Sequence, residues 1–132
     1  MALYDVLQTS GSGLTLYRTW LEAISDNIAN VSTVRPMTES AFQERFVVAE
    51  AVDYGRAGGV AVAGIEHGDP LGRVVYEPQH PLADDDGLVR YPSLELADQM
   101  VNMIVAQRAY QANLSAIERA RDAYSAALRI GV

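Results

Sequence analysis

Apolar residues near the amino terminus recur at alternating intervals of four and three residues. The spacing runs from Leu3 to Val31 over about four heptads, and Ser10 is the only polar residue at these positions. Such a repeat is typical of a helix that buries one apolar edge against another helix. The pattern therefore predicts a helix over residues 3–31, roughly 43 Å long at about 1.5 Å per residue.

The same spacing returns near the other end of the chain. Positions from Met100 to Leu128 alternate by three and four residues, with Gln107 and Arg121 as the polar exceptions. Ser93 is of a residue type that favours helix N-caps, so we expect this helix to begin there. The pattern predicts a second long helix with one apolar edge.

The first half of this second helix is also apolar beside the heptad positions. Val101, Ile104 and Val105 lie there, so a single partner helix cannot bury every apolar side chain. Two interpretations stay open: the helices form a closed two-helix core, or they pack against neighbouring subunits. The length of both helices favours an assembly.

Between the helices the pattern changes to short runs rich in β-branched residues, separated by glycine and proline. Such runs predict strands joined by turns or irregular loops. The predicted strands are 46–48, 59–65 and 72–76, with 88–91 as a candidate fourth.

The predicted fold class is α+β. Long N- and C-terminal helices form an antiparallel coiled-coil-like pair, and a small β-rich module is inserted between them. The predicted regions are an N-terminal helix in 1–31, the β-rich module in 32–92 and a C-terminal helix in 93–132.

Charge is distributed unevenly along the chain. The net charge is -7, of which the middle region carries -5 and the C-terminal region none. Nucleic-acid phosphates would repel such a chain, and the sequence has no basic stripe to offset this, so we expect no nucleic acid partner. The nearly neutral ends are the regions most easily packed against a partner.

Several classes of chemistry are excluded by composition. The chain has no cysteine, which excludes disulfides, thiolate catalysis and cysteine-ligated zinc. Its ten basic residues are all arginine, which excludes lysine Schiff-base and P-loop chemistry. The sequence contains no apolar run of 18 residues, so we expect no direct membrane insertion. Its first residues do not have the pattern of a Sec-type signal peptide.

Few residues are candidates for catalysis or metal binding. His67 and His80 are the only histidines, and a lone loop histidine is more often solvated or hydrogen-bonded than metal-bound. The acidic run at Asp84 to Gly87 lacks the spacing of a calcium loop, so we interpret it as a turn. No nucleophile, base and orienting residue group together. We therefore expect a protein that is not an enzyme and has no cofactor.

Two glycines and two asparagines in the first helix call for an explanation. Gly11 and Gly13 are expected to weaken or bend the helix. Asn30 is expected to end it, through a left-handed backbone conformation and an amide that reaches unpaired carbonyls. Asn27, one turn earlier, is expected to fix the register of a neighbouring helix. The alternative is that both amides are solvated.

Three stretches resemble bacterial flagellar rod and hook proteins. SDNIANVST at 25–33 looks like the Ser-x-Asn-Ile/Leu-Ala-Asn signature near the N-terminus of that family, and MVNMIVAQRAYQANLSAIERARDAY at 100–124 is similar to its C-terminal block. VYEPQHPLADDDGLVRYP at 75–92 resembles the Tyr-Asp/Glu-Pro-x-His-Pro-x-Ala-Asp segment of its short proximal rod proteins. The three blocks occur in family order, although Gly13 stands where alanine is expected.

The resemblance implies a structural subunit of the proximal rod of the flagellar basal body. Such subunits are exported by the flagellum's own secretion apparatus to the periplasmic rod, and they assemble through terminal helices into a helical axial structure. The implied partners are other rod proteins, the export-gate junction and further copies of the chain. The alternative is a soluble α-helical adaptor that binds a partner helix.

The predicted assembly interface lies on both helices. Trp20, the only tryptophan, flanks the heptad positions, where it would either anchor a neighbour or pack inside the chain. The expected interface residues are Leu14, Tyr17, Trp20, Leu21, Ile24, Asn27, Ile28, Asn30, Met100, Met103, Ile104, Tyr110, Leu114, Ile117 and Tyr124.

Overall fold

A computed structural model describes residues 2–55 and 57–131 of the chain. Its elements are α1 (Ala2–Asn30), β1 (Arg45–Asp53), β2 (Gly58–His67), β3 (Arg73–Tyr76), β4 (Leu88–Tyr91) and α2 (Leu96–Ile130). The strands form two two-stranded sheets, β1 with β2 and β3 with β4. This confirms the predicted α+β fold, with two terminal helices and a small β module between them in the sequence. Within the residues described, neither helix combines the length and the hydropathy of a membrane span.

The two helices pack against each other, and the chain divides into two compact units. One unit holds α1 up to Leu21, the hairpin residues Val47–Gly64 and α2 from Ile104 onward. The other holds Glu22–Phe46 and Ile65–Met103. The start of α1 therefore shares a unit with the end of α2, and the end of α1 shares one with the start of α2. This is the pairing order of an antiparallel pair, as predicted.

In the first unit, a glycine allows the two helices to approach closely. A Cβ atom built on Gly13 would lie 2.8 Å from the side-chain oxygen of Asn113, a separation that real Cβ atoms essentially never show. Gly11 and Gly13 do not interrupt α1, which runs unbroken from Ala2 to Asn30, and the expectation that they weaken or bend the helix stays a prediction. Gly13 instead makes room for a side chain of α2.

The first unit also contains the tip of the β1–β2 hairpin. Tyr54 N donates to Ala57 O at 2.9 Å. Gly55 has a φ of 87° and its N–H donates to Asp53 Oδ1 at 2.7 Å. A positive φ is the conformation for which glycine has no steric cost. The turn chemistry therefore explains where β1 ends.

In the second unit, β3 and β4 pair in antiparallel register, with Val75 opposite Val89. Val89 is fully buried. The Tyr91 hydroxyl donates to the two carboxylate oxygens of Glu77, at 3.1 and 3.2 Å. The hydrogen bond to Glu77 is the main cause that raises the pKa of Tyr91, followed by desolvation and the negative charge of Glu77, while Arg73 opposes the shift.

The acidic run before β4 is a turn, as predicted. Asp84 Oδ1 accepts hydrogen bonds from Asp86 N at 3.0 Å and from Leu88 N at 2.8 Å. Gly87 has a φ of 75°, and its N–H donates to Asp84 O at 2.9 Å. The Asp84 carboxylate therefore stabilises the turn by accepting hydrogen bonds from its backbone N–H groups.

The structure corrects several predicted boundaries. The first two strands are longer than predicted, because each pairs with the other along the hairpin. α2 begins at Leu96 rather than at Ser93, and Gln99 N donates to Glu95 O at 3.2 Å. Glu95 therefore takes the cap position expected of Ser93. The bounds predicted for the fourth strand, 88–91, are confirmed.

Candidate assembly surface

The buried line of α2 consists of small and polar residues at heptad spacing. Gln99, Ala106 and Ala120 are buried, and Asn113 on the same line is half-buried. The heptad positions predicted from the sequence lie one residue later in each case. The residues there are larger or charged, namely Met100, Gln107, Leu114 and Arg121. Small side chains allow a close helix pair, so they occupy the seam instead.

α1 departs from its predicted line in the same way. Ser10 and Ile24 are buried as the heptad pattern predicts. Gly13 and Asn27 are also buried, one position before the predicted Leu14 and Ile28. In both helices, the buried residues at one of the two heptad positions therefore lie one residue before the predicted ones.

The shift leaves large apolar side chains of α2 on the surface. Away from the helix ends, their exposed fractions lie between 41% and 59%. We refer to these side chains as the α2 stripe, which comprises Met100, Val101, Ile104, Val105, Leu114, Tyr124 and Leu128. Four of them belong to the predicted interface. Val101, Val105 and Leu128 do not, although the apolar pattern of the helix already contained them.

The remaining predicted residues of α2 are half-buried. Met103, Tyr110 and Ile117 keep the heptad position that the sequence predicted for them. Each therefore lies between the buried line and the exposed α2 stripe. Their side chains are partly available to a neighbour.

On α1 the predicted interface residues are mostly half-buried. The Tyr17 and Trp20 rings lie with their centroids 6.1 Å apart and their planes tilted by 37°. Both border an apolar groove of about 220 Å³, whose other lining residues are Leu16, Val47 and Ala49. Leu14, Leu21 and Ile28 are also half-buried.

Two predicted interface residues are buried within the second unit. Ile24 and Asn27 are each 1% exposed, so their side chains contribute to packing inside the chain. The Asn27 amide donates to Gln99 Oε1 on α2 at 3.0 Å. This agrees with the expectation that Asn27 fixes a neighbouring helix, and that helix belongs to the same chain.

Asn27 also binds the main chain at the start of β1. Arg45 N donates to Asn27 Oδ1 at 2.9 Å, and Asn27 Nδ2 donates to Arg45 O at 3.1 Å. Gln99 extends the network, since its Nε2 donates to Glu44 Oε1 at 2.6 Å. One buried amide therefore joins α1 to α2 and to the first residue of β1. No pattern in the sequence predicts the contact with Arg45.

Asn30 ends α1 through its side-chain amide, which is one of the two means expected. Its Nδ2 donates to Asp26 O at 2.8 Å, and its Oδ1 accepts from the Thr33 hydroxyl at 3.1 Å. Among residues 2–55 and 57–131, positive φ occurs only at glycine, so the expected left-handed conformation of Asn30 is wrong. The amide alone satisfies a carbonyl of the last turn.

The described residues contain no group of three or more histidine, aspartate or glutamate side chains that could hold a metal ion. His80 Nδ1 accepts a hydrogen bond from Leu82 N at 3.1 Å, in the loop between β3 and β4. The candidate surface is the apolar α2 stripe, because its large side chains are exposed.

The chain is similar to known flagellar proteins over almost its whole length. A family model described as flagella basal body rod protein matches residues 7–36. Another, described as flagellar basal body rod FlgEFG protein C-terminal, matches residues 95–130. The first segment covers most of α1, and the second covers all of α2.

Curated relatives bear the name flagellar basal-body rod protein FlgC. One from Borreliella burgdorferi is 32% identical, over 98% of this chain and 98% of its own. One from Escherichia coli O157:H7 is 32% identical over 99% of each chain. One from Bacillus subtilis is 28% identical, again over 99% of each.

Proposed function

Because the chain belongs to the FlgC family of flagellar basal-body rod proteins, we propose that its two terminal helices carry the contacts that assemble it into the rod. The chain is a structural subunit of the rod and not an enzyme. The observation that carries the proposal is the exposed α2 stripe beside a seam of small and polar residues.

The magnitude of the apolar contribution favours several neighbours over one. Covering the exposed half of each side chain in the α2 stripe would contribute about 1 kcal/mol each, or roughly 5 to 10 kcal/mol together. Association of two proteins costs roughly 4 to 15 kcal/mol in lost freedom. A single partner on the stripe alone therefore gains little net affinity. Contacts with several subunits, as in a helical axial structure, stabilise the chain more effectively than one adaptor partner.

The proposed interface follows the predicted one, with a change that burial requires. Ile24 and Asn27 are left out because they are buried within the chain. Val101, Val105 and Leu128 are added because they are exposed. The retained residues are Leu14, Tyr17, Trp20, Leu21, Ile28, Asn30, Met100, Met103, Ile104, Tyr110, Leu114, Ile117 and Tyr124.

We further propose that the subunit lies in the proximal, periplasmic part of the rod and is exported by the flagellar secretion apparatus. Its proposed neighbours are other rod proteins, further copies of the chain and the export-gate junction. The resemblance at 75–92 to the short proximal rod proteins supports this position. Contacts between unlike surfaces that do not close into a ring produce an extended helical assembly.

The test places one charge on the α2 stripe. The variant Ile104→Glu and the control Val74→Glu, on exposed β3, are expressed in cells that lack the native protein. Ile104 is 51% exposed and Val74 is 49% exposed, so neither change should unfold the chain. We expect Ile104→Glu to abolish motility while its secreted amount stays normal, and Val74→Glu to swim.

Normal motility of Ile104→Glu would contradict the proposed surface. The adaptor alternative is tested with purified protein, because an assembling subunit forms larger species as its concentration rises. An adaptor would stay at one size in sedimentation at all concentrations.

A further inference from the structure

The outer edge of β2 is occupied by side chains of α1. The Thr9 hydroxyl donates to Gly58 O at 2.5 Å, and Val60 N donates to Ser12 Oγ at 3.1 Å. In the described part of the chain β2 pairs with β1 alone. We propose that Thr9 and Ser12 form an edge guard, which prevents a strand of another molecule from pairing with β2. This inference does not depend on the proposed function.

The hydrogen bonds place the guard on the side of β2 that faces away from β1. Ala57 O accepts from Tyr54 N across the hairpin, so the backbone groups of Ala57 point toward β1. Successive residues of a strand direct these groups to alternate sides. Gly58 and Val60 therefore point outward, where an added strand would bind.

A glycine permits this close approach of α1. A Cβ atom on Gly59 would lie 2.5 Å from Tyr54 Cε2 and 3.0 Å from Ser12 Oγ. The absence of a side chain at Gly59 therefore keeps the Ser12 hydroxyl within reach of the edge. The Ser12 hydroxyl is further positioned by its own donation to Thr9 O at 2.7 Å.

The composition of β2 explains why its edge needs protection. Residues 58–65 read GGVAVAGI, with no charged residue and no proline. Exposed strands of this kind are templates for pairing between molecules, and proteins usually interrupt them with charges or proline. Here α1 supplies the protection instead.

The space that an added strand would fill is visible beside β2. A groove of about 330 Å³ runs between α1 and the strand, and its lining residues include Ser12, Thr15, Thr19, Val60 and Val62. Ser12 occupies one end of this groove, next to Val60. A strand entering the groove must displace the Ser12 hydroxyl before it can bond to Val60 N.

The experiment compares two pairs of hydroxyl substitutions in the full chain. The guard variant is Thr9→Val with Ser12→Ala. The control is Ser115→Ala with Ser125→Ala on α2, because these residues are exposed and do not line the groove beside β2. Amide hydrogen exchange at Val60 reports whether the edge is open. Thioflavin T binding against protein concentration reports whether strands add.

In the guard variant we expect Val60 exchange to accelerate roughly tenfold, as for the loss of one hydrogen bond. Thioflavin-positive assemblies should form at several-fold lower concentration than in the parent chain, and the control should match the parent. The single variant Ser12→Thr keeps a hydroxyl and should exchange as slowly as the parent chain. If circular dichroism shows that the guard variant has lost helix, the single variant Ser12→Ala replaces it.

Two outcomes would overturn the inference. If Val60 exchanges at the parent rate in a folded guard variant, the hydroxyls do not close the edge. If exchange accelerates but thioflavin binding does not change, the hydroxyls satisfy the edge without protecting it from strand addition.

Discussion

α1 and α2 carry the same heptad pattern, yet the chain covers one far better than the other. Among the described residues of α1, the large apolar side chains that are exposed are Tyr4 and Val6, near its start. In α2 the exposed stripe extends from Met100 to Leu128. Periodicity therefore identifies the apolar edge of a helix but does not identify what covers it.

The strongest test of this comparison truncates one apolar side chain in each helix. Ile24→Ala, at a position 1% exposed, should lower the free energy of unfolding by about 2 to 5 kcal/mol, because it leaves a cavity. Leu128→Ala should change it by less than about 0.5 kcal/mol, since the side chain lies on the surface. Urea unfolding at low protein concentration measures both. Equal losses would mean that the monomer covers both helices alike.

The buried amide of α1 should matter nearly as much as its apolar core. Asn27→Ala leaves main-chain groups of Arg45 and the Gln99 oxygen without their partner, at about 1 to 3 kcal/mol for each buried group. We expect a loss of about 3 kcal/mol in total, since water reaches some of these groups after the change. Asn30→Ala, at a half-buried position, should cost about 1 kcal/mol. Urea unfolding measures the free energy of unfolding of both variants. A larger loss in Asn30→Ala than in Asn27→Ala would contradict the prediction.

The two glycines of α1 should respond to alanine with opposite signs. A methyl group on Gly11 meets no described atom within 4 Å, so Gly11→Ala should stabilise the chain by about 0.5 to 1 kcal/mol through helix propensity. Gly13→Ala places a methyl group against the Asn113 side chain and should destabilise it by about 1 kcal/mol after partial relaxation. Thermal unfolding of the two variants gives the comparison. Stabilisation by both would show that the helices do not approach closely at Gly13.

The smallest expected effect is spectroscopic. Trp20 is the only tryptophan and is half-buried beside an apolar groove of α1. If a neighbouring subunit covers this groove, the emission of Trp20 should move to shorter wavelength as concentration rises. The assembly-defective Ile104→Glu variant is the control, and its emission should not move. An unchanged spectrum in an assembling sample would restrict the interface to α2.

The sequence was a good guide to the elements and a poorer one to their packing. The first helix was predicted at 3–31 and lies at Ala2–Asn30, and the fourth strand was predicted at its observed bounds. The seam was displaced in both helices, because a periodic pattern favours the largest apolar residues. A closely packed pair instead selects small ones, such as Gly13, Ala106 and Ala120.

The remaining differences have local causes. The first strand was predicted as 46–48 because its second half, AEAVD, contains alanine and acidic residues with low strand propensity. Pairing with β2 extends it to Asp53 regardless. Among the predicted interface residues, periodicity could not separate the buried Ile24 from the exposed Met100, because burial depends on the neighbouring elements.

The contact between Asn27 and Arg45 has a consequence for how the protein can vary during evolution. Asn27 bonds to the N–H and the carbonyl of Arg45 and not to its side chain. Every amino acid except proline offers this pair of groups, so the contact with Asn27 does not depend on which other side chain stands at position 45. A search for correlated substitutions can find the pairing of Asn27 with Gln99, which joins two side chains. It will overlook the equally close pairing with residue 45.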